Sequence, residues 1–290
     1  MTNASSDHNS PVDIAVGQGR SIRMLDCGGR DQIVRACAAE GWRALERPMS
    51  EIFYSCVQAT DGAVVDVGAN TGFYTLLAAV ARPGSVLWAF EPDPQVRPIL
   101  EENVRLNHLT GRAILFAEAL SDRPGVASLY LPTREHGCVE TSSSLESSFK
   151  SSHAEVLPVA VNTLDARVAE SMSGRIGLIK IDVEGHEAAV LAGASATVQS
   201  HQPWIFIEVL PGADFDALHD FLDRHCYVAI ALHPAGLGHP TQAIAFVENA
   251  WNHLLLPTAE AVTALASLNA VAGAESRSPK AKSTSADRGI

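Results

Sequence analysis

Ala63-Val64-Val65-Asp66-Val67-Gly68-Ala69-Asn70-Thr71-Gly72-Phe73-Tyr74-Thr75-Leu76 decides how the rest of this 290-residue chain is read. Its first five residues are an apolar, Val-rich run set off by Asp61-Gly62, the pattern of a buried strand. The run breaks at Gly68–Gly72 and restarts as an apolar helix of Leu and Ala. Strand, glycine loop and helix together open a nucleotide-binding α/β unit. A dinucleotide fingerprint needs a middle glycine where this chain has Asn70, and a phosphate loop needs a Lys where it has Phe73-Tyr74. The remaining pattern, acidic-x-Gly-x-x-x-Gly, suits a ligand without phosphates. Its alternative is a tight turn that merely needs glycine.

The second strand, Val86–Phe90, ends on Glu91-Pro92-Asp93-Pro94. A carboxylate at that tip, about 20 residues past the loop, is placed to accept from ribose hydroxyls. Glu91 fits this role, while Asp93 also suits a plain helix start. The two signals together point to S-adenosylmethionine, which offers a ribose and a sulfonium but no phosphate. Asp66, Gly68, Asn70, Thr71, Gly72, Glu91 and Asp93 therefore form the expected cofactor set. Glu118, at the tip of the third strand (113–117), joins it as a reader of the adenine edge, with Ala119 beside it. A solvated loop acid is the other reading of Glu118.

A formal net charge of -12 with scattered Lys and Arg argues against a nucleic-acid partner. Five separated cysteines without a C-x-x-C pair suit free thiols and give no zinc spacing. No apolar signal core opens the chain and no run approaches the roughly 20 apolar residues of a membrane helix. The expectation is a soluble, cytoplasmic protein with no membrane partner.

Four regions follow: an unstructured lead (1–20), a helical segment (21–60), the α/β domain (61–257), and a helix with a disordered tail (258–290). Strand–helix alternation predicts a mostly parallel sheet with helices on both faces. Residues 127–131 and 156–161 read as strands joined by a long polar insert holding Thr141-Ser142-Ser143-Ser144. That insert is either part of an acceptor pocket or a surface excursion. Late strands are expected at 227–232, 243–247 and 253–256. The second dense stretch, Ile176–Glu187, places Lys180, Asp182, Glu184, His186 and Glu187 at the carboxyl end of a central strand, where ligands of parallel sheets bind. Lys180 is expected to pair with Glu184 or Glu187. The next strand, Trp204–Ile207, ends on Glu208.

With these residues placed, the chain resembles the FkbM family of methyltransferases from about residue 48 to 257. The resemblance rests on Val65–Gly72, Ala89–Pro94, Asn103-Val104-Arg105-Leu106-Asn107, Ala119–Asp122, Ser143–Leu145, Thr163–Asp165, Ile179–Glu187 and Trp251–Leu254. One departure is Cys226-Tyr227, where the family pattern has Gly-Tyr. The resemblance implies a class I methyltransferase (Rossmann-like) fold, seven strands with one antiparallel, and an S-adenosylmethionine-dependent enzyme. It also implies O-methylation of a hydroxyl on a small-molecule or glycan acceptor. Asp182 or His186 is then the catalytic base and Glu208 an orienting partner, with no resident metal. A Mg²⁺-assisted variant using Asp182 and Glu208, a non-catalytic cofactor-binding module and an NAD-dependent oxidoreductase are the rival readings.

Overall fold

The computed structural model describes residues 10–132, 142–149, 153–171 and 174–275. A hairpin comes first, β1 (Pro11–Gly17) and β2 (Arg20–Leu25), then α1 (Gln32–Glu40) and α2 (Met49–Ala59). Next come β3 (Ala63–Val67), α3 (Phe73–Ala81), β4 (Leu87–Phe90), α4 (Arg97–Leu106) and β5 (Ala113–Phe116). Three strands form a small separate sheet: β6 (Ala119–Leu120), β7 (Gly125–Pro132) and β8 (His153–Asn162). The main sheet resumes through α5 (Leu164–Ser171), β9 (Ile176–Ile181), α6 (Glu187–Ala192), α7 (Ser195–His201) and β10 (Trp204–Glu208). It closes with α8 (Phe215–His225), β11 (Tyr227–His233), β12 (Gly236–Leu237), β13 (Asn252–Pro257) and α9 (Ala261–Glu275).

The main sheet has the order β5-β4-β3-β9-β10-β13-β11-β12. β3, β4, β5, β9 and β10 pair in parallel, and β13 is antiparallel to both β10 and β11. These seven strands are the expected class I arrangement. The two-residue β12, antiparallel to β11, raises the count to eight strands.

The central strands read as continuous apolar runs because both faces are covered. Val64, Leu178, Phe206 and Leu254 belong to the core under the hairpin, α1–α4 and α9. Their chain neighbours Val65, Ile179, Ile205 and Leu255 face the core under α5–α8. Successive side chains on a strand point to opposite faces, so each strand feeds both cores.

Three expectations need correction. Residues 10–20 are not an unstructured lead, nor residues 21–25 helical: Val12, Ile14 and Val16 alternate with exposed Asp13 and Ala15, and β1 pairs with β2 across a turn at Gly17, Gln18 and Gly19. Ile14, Val16, Ile22 and Met24 are buried by this pairing. Residues 243–247 form no strand; Ile244 packs into the core while its carbonyl accepts from His219 Nε2 (2.9 Å), leaving only the Thr241–Ala229 bridge on β11. Third, the disordered tail is expected after Val271, but α9 runs on to Glu275, four residues further. The remainder of the expected tail, from 276, lies outside the described residues, as does Thr141. Cys226 takes the left-handed conformation (φ 58°) that ends α8, which accounts for the glycine of the family pattern there.

The Asn103…Asn107 motif has a packing reason. Asn103 is fully buried; its Oδ1 accepts from Leu25 N–H (2.8 Å) and its Nδ2 donates to Thr71 O (2.8 Å). Asn107 exchanges the same pair of bonds with the backbone of Arg23. Thus α4 serves β2 as a substitute strand and fastens the hairpin to the glycine loop. Asn103→Ala leaves a buried donor and acceptor unpaired, a loss of roughly 2–4 kcal/mol. Urea unfolding checks this, and a change below about 0.5 kcal/mol would contradict the assigned role.

Candidate functional site

The glycine loop follows β3 at the carboxyl edge of the sheet. Gly68 (φ 76°) has no room for a side chain: a Cβ there would stand 1.9 Å from the carbonyl oxygen of Asp182. The loop is therefore pressed against the end of β9. Asn70, also left-handed (φ 54°), sends its N–H to Glu91 Oε2 (2.8 Å). Glu91 Oε1 accepts from Asp93 N–H (2.8 Å), so the carboxyl is set by two backbone donors. Burial raises its pKa to about 7 even so. Asp93 accepts from Gln95 N–H (2.7 Å) and from the Ser143 hydroxyl (2.9 Å).

These groups open on a cavity of ≈ 590 Å³ between the tips of β3, β4, β6 and β9. Of the predicted set, Gly68, Asn70, Glu91, Asp93, Glu118, Ala119, Asp182 and His186 line it. Asp66, Thr71 and Gly72 do not. Asp66 is buried behind the loop, where its Oδ2 accepts from the Thr75 hydroxyl (2.7 Å) and ties β3 to α3. Thr71 presents its carbonyl to Asn103, and Gly72 caps α3 against Leu100. Glu118 is held by both arms of Arg167 (2.6 and 2.5 Å). A bidentate ion pair of this kind fixes the carboxylate and occupies its strongest acceptor directions, so its expected part in reading an adenine is as a wall rather than a free acceptor.

Lys180 does not pair with Glu184 or Glu187. It is buried between Asp182 (3.1 Å) and Asp66 (3.8 Å), with the Tyr74 ring 4.8 Å from its nitrogen. Burial opposes its charge, but the carboxylates of Asp182, Asp66 and Glu46 outweigh that and hold its pKa above the ordinary lysine value. Glu187 caps its own helix start, accepting from Val183 and Gly185 N–H (3.1 and 3.2 Å). Its pKa rises to about 7, mainly through burial.

The three expected catalytic groups separate. Asp182 and His186 wall the first cavity, whereas Glu208 opens into a second one of ≈ 830 Å³. Both ring nitrogens of His186 are engaged, Nδ1 with Glu146 Oε1 (2.6 Å) and Nε2 with Ser121 Oγ (2.8 Å). Burial, reinforced by Asp182, Glu184, Glu187 and Glu46, pushes Glu208 up to about 10. Among the described residues, no group of three His, Cys, Asp or Glu side chains is arranged to hold a metal ion.

Sequence reasoning missed Glu46, whose carboxylate turns in from an exposed turn to accept from the Tyr74 hydroxyl (2.7 Å). It also missed Arg167, and the insert's specific contributions: Ser143 on Asp93, Ser144 Oγ donating to Glu184 O (2.8 Å), and Glu146 on His186. These contacts hold residues 142–149 against one side of the first cavity rather than leaving them as a surface excursion; they do not bear on an acceptor pocket.

The cavity wall carries five carboxyls, from Glu91, Asp93, Glu118, Asp182 and Glu184, and no Lys or Arg among the described residues. Such a field repels phosphate and favours a ligand with positive charge. A parallel sheet in this order with one antiparallel strand, and a phosphate-averse pocket at its carboxyl edge, defines a class I methyltransferase. The chain belongs to the FkbM family: the Methyltransferase FkbM domain matches residues 66–229, more than half of it. It is similar to the 2-O-methyltransferase NoeI of Sinorhizobium fredii, 29% identical over 153 residues, covering 50% of this chain and 62% of that one. It is also similar to the 31-O-demethyl-FK506 methyltransferase FkbM of Streptomyces tacrolimicus, 30% identical over 161 residues, covering 47% and 61%. The chain thus spans about three fifths of the length of these curated relatives. A solved methyltransferase FkbM from Methylobacillus flagellatus superposes with a TM-score of 0.46 at 19% identity, over 68% of this chain and 43% of that one. Among the described residues no helix is long and apolar enough to cross a membrane.

The Glu208 shift has a consequence for stability. A carboxyl with its pKa raised from 4.5 to about 10 contributes stability that is full below pH 4.5 and is lost as pH rises towards 10. Glu208→Gln keeps the shape without the titration. At pH 8 it raises Tm by a few degrees, on the order of 1–2 kcal/mol after allowing for partial exposure. The gap closes near pH 4.5. Calorimetric scans at the two pH values check it, and an equal Tm difference at both would contradict it.

Proposed function

We propose that this chain transfers the methyl group of S-adenosylmethionine to a hydroxyl oxygen of a small-molecule or glycan acceptor. The observation that carries the reading is the phosphate-averse first cavity, with Glu91 held at the β4 tip by the N–H groups of Asn70 and Asp93. Its residues fit the donor: Glu91 suits a ribose, the apolar Phe90, Val96, Leu129 and Leu145 suit an adenine, and the acid wall suits a sulfonium. The two relatives named as O-methyltransferases, at about 30% identity, support the choice of oxygen.

When bound, S-adenosylmethionine supplies a methyl carbon already activated by the sulfonium. The new C–O bond forms in line as the S–C bond breaks, the sulfur keeps that electron pair, and the hydroxyl proton must leave. The protein's share is alignment, exclusion of water and removal of that proton. Of the three candidate bases, His186 has both nitrogens occupied and Glu208 is neutral at pH 7. Asp182 has Oδ2 on Lys180, leaving Oδ1 outside that pair. Asp182 is therefore the base, with Lys180 fixing its plane. His186 and Glu146 hold residues 142–149 against the cavity.

Two measurements test this. Calorimetry should give micromolar binding of S-adenosylhomocysteine, weakened roughly tenfold or more in Glu91→Ala, the scale of a lost charged hydrogen bond. Because protonation removes the charge that strengthens this acceptor, wild-type affinity should fall as pH drops through about 7. Absence of binding to wild type overturns the cofactor. Asp182→Asn should bind the same ligand within about threefold yet lose turnover by 10²–10⁴-fold on any acceptor that wild type methylates. Wild-type turnover in that variant removes Asp182 as base, and binding without methylation of any hydroxyl leaves a cofactor-binding module.

A further inference from the structure

The second cavity lies on the other side of Asp182 from the first. Ile207 and Ile181 are paired in the parallel register of β10 and β9, so the next residues, Glu208 and Asp182, stand side by side at the strand ends. An acceptor in the second cavity would therefore reach the reacting carbon past Asp182. A larger cavity of ≈ 1060 Å³ lies beside Asp61, Arg82 and Arg175, at the amino ends of the strands, and is out of reach of this chemistry.

The wall of the second cavity combines two surfaces. One is the indole of Trp251, 46% exposed while the other three tryptophans of the chain are buried. Its N–H donates to Glu248 O (2.9 Å), and Phe246 lies 6.5 Å away, so the ring is held in place without being covered. The other surface is polar: the side chains of Glu46, Arg47, Glu208, Glu248, Asn249 and Asn252. Three carboxyls, of Glu46, Glu208 and Glu248, share this wall with the Arg47 guanidinium, and burial raises the pKa of Glu46 and takes that of Glu208 to about 10, which lowers the negative charge of the wall. Amides and a protonated carboxyl both donate and accept, as vicinal hydroxyls do. An aromatic face suits the C–H side of a saturated sugar ring. A phenol would use the ring but leave most of these polar groups unmatched.

We propose that this cavity is the acceptor subsite and that it takes an uncharged pyranose, stacked on Trp251 with a hydroxyl on the Glu208 carboxyl. The inference rests on the methyl-transfer reading and names the substrate class for the same edge of the sheet.

Saturation-transfer NMR on the full chain with S-adenosylhomocysteine tests it, the probes being methyl pyranosides of three neutral hexoses, the matching hexuronates, and phenol. Transfer to the neutral pyranosides is expected, at least fivefold weaker to the hexuronates and to phenol. It should fall at least fivefold in Trp251→Ala and in Glu208→Ala but stay within about threefold in Trp251→Tyr, which keeps an aromatic face. Calorimetry of S-adenosylhomocysteine on the same samples separates the two readings. Normal binding of that ligand with no transfer to any neutral pyranoside overturns the acceptor proposal alone. Transfer to pyranosides without binding of that ligand overturns the cofactor reading and leaves the subsite standing. Transfer that persists in Trp251→Ala, or stronger transfer to hexuronates or phenol, also overturns the proposal.

Discussion

The buried ammonium of Lys180 is the constraint on which the rest depends. It joins Asp66 on β3 to Asp182 just past β9 and sits over the Tyr74 ring of α3. Removing such a charge from water costs several kcal/mol, and only close partners return it. Here the partners belong to the two strands whose tips make the site. Burial raises the pKa of Asp66, with Lys180 and the Thr75 hydroxyl opposing that rise, and Asp182 is held at the cavity wall. Without the lysine, Asp66, Asp182 and Glu46 would crowd one apolar layer with like charge. The ion pair therefore does more for geometry than for stability, which is the common role of buried salt bridges that have been studied closely.

That arrangement divides the carboxyl edge into two unlike environments. On the Glu91 side, five carboxyls line the wall with no Lys or Arg among the described lining residues; Arg167 is spent on Glu118 and Lys180 on Asp182 from behind it. On the Glu208 side, burial, reinforced by the same crowding, pushes the carboxyl up to about 10 and leaves a polar wall of lower negative charge. A sulfonium and a hydroxyl ask for these two surroundings respectively. Asp182 stands on the boundary, within the acid field yet paired, which keeps one oxygen fixed and the other available.

How much of this could be read from the sequence follows from the range of each interaction. β3, β4, β9 and β10 were legible because both faces are buried and the runs are mostly apolar, with Val, Ile, Leu and Phe in the majority. The hairpin at 11–25 was missed although Val12, Ile14 and Val16 alternate, because its polar face and its Gly-Gln-Gly turn resemble an unstructured lead. The opposite error came at 243–247, where apolar residues suggest a strand but only Ile244 is buried. Gly68 and Glu91 were legible, since loop and tip lie on consecutive units. Glu46–Tyr74, Ser143–Asp93 and Arg167–Glu118 were not, because 28, 50 and 49 residues separate the partners and only the closed sheet brings them together.

His186 shows how a motif histidine is engaged by its neighbours. A histidine at the carboxyl edge has the pKa range of a general base, and its motif lies beside Asp182. The structure spends it otherwise: Glu146 takes one nitrogen and Ser121 the other. Those partners come from the insert and from the segment after β6, so the ring joins two elements that flank the cavity. Ser144 on the Glu184 carbonyl and Ser143 on Asp93 fasten the same stretch from either side. Water is kept from that side of the cavity by residues 142–149, and the histidine is one of the posts that hold them. Asp182 differs from it in having Oδ2 on Lys180, Oδ1 outside that pair and a place on the cavity wall, which is why the proposed proton removal is given to it.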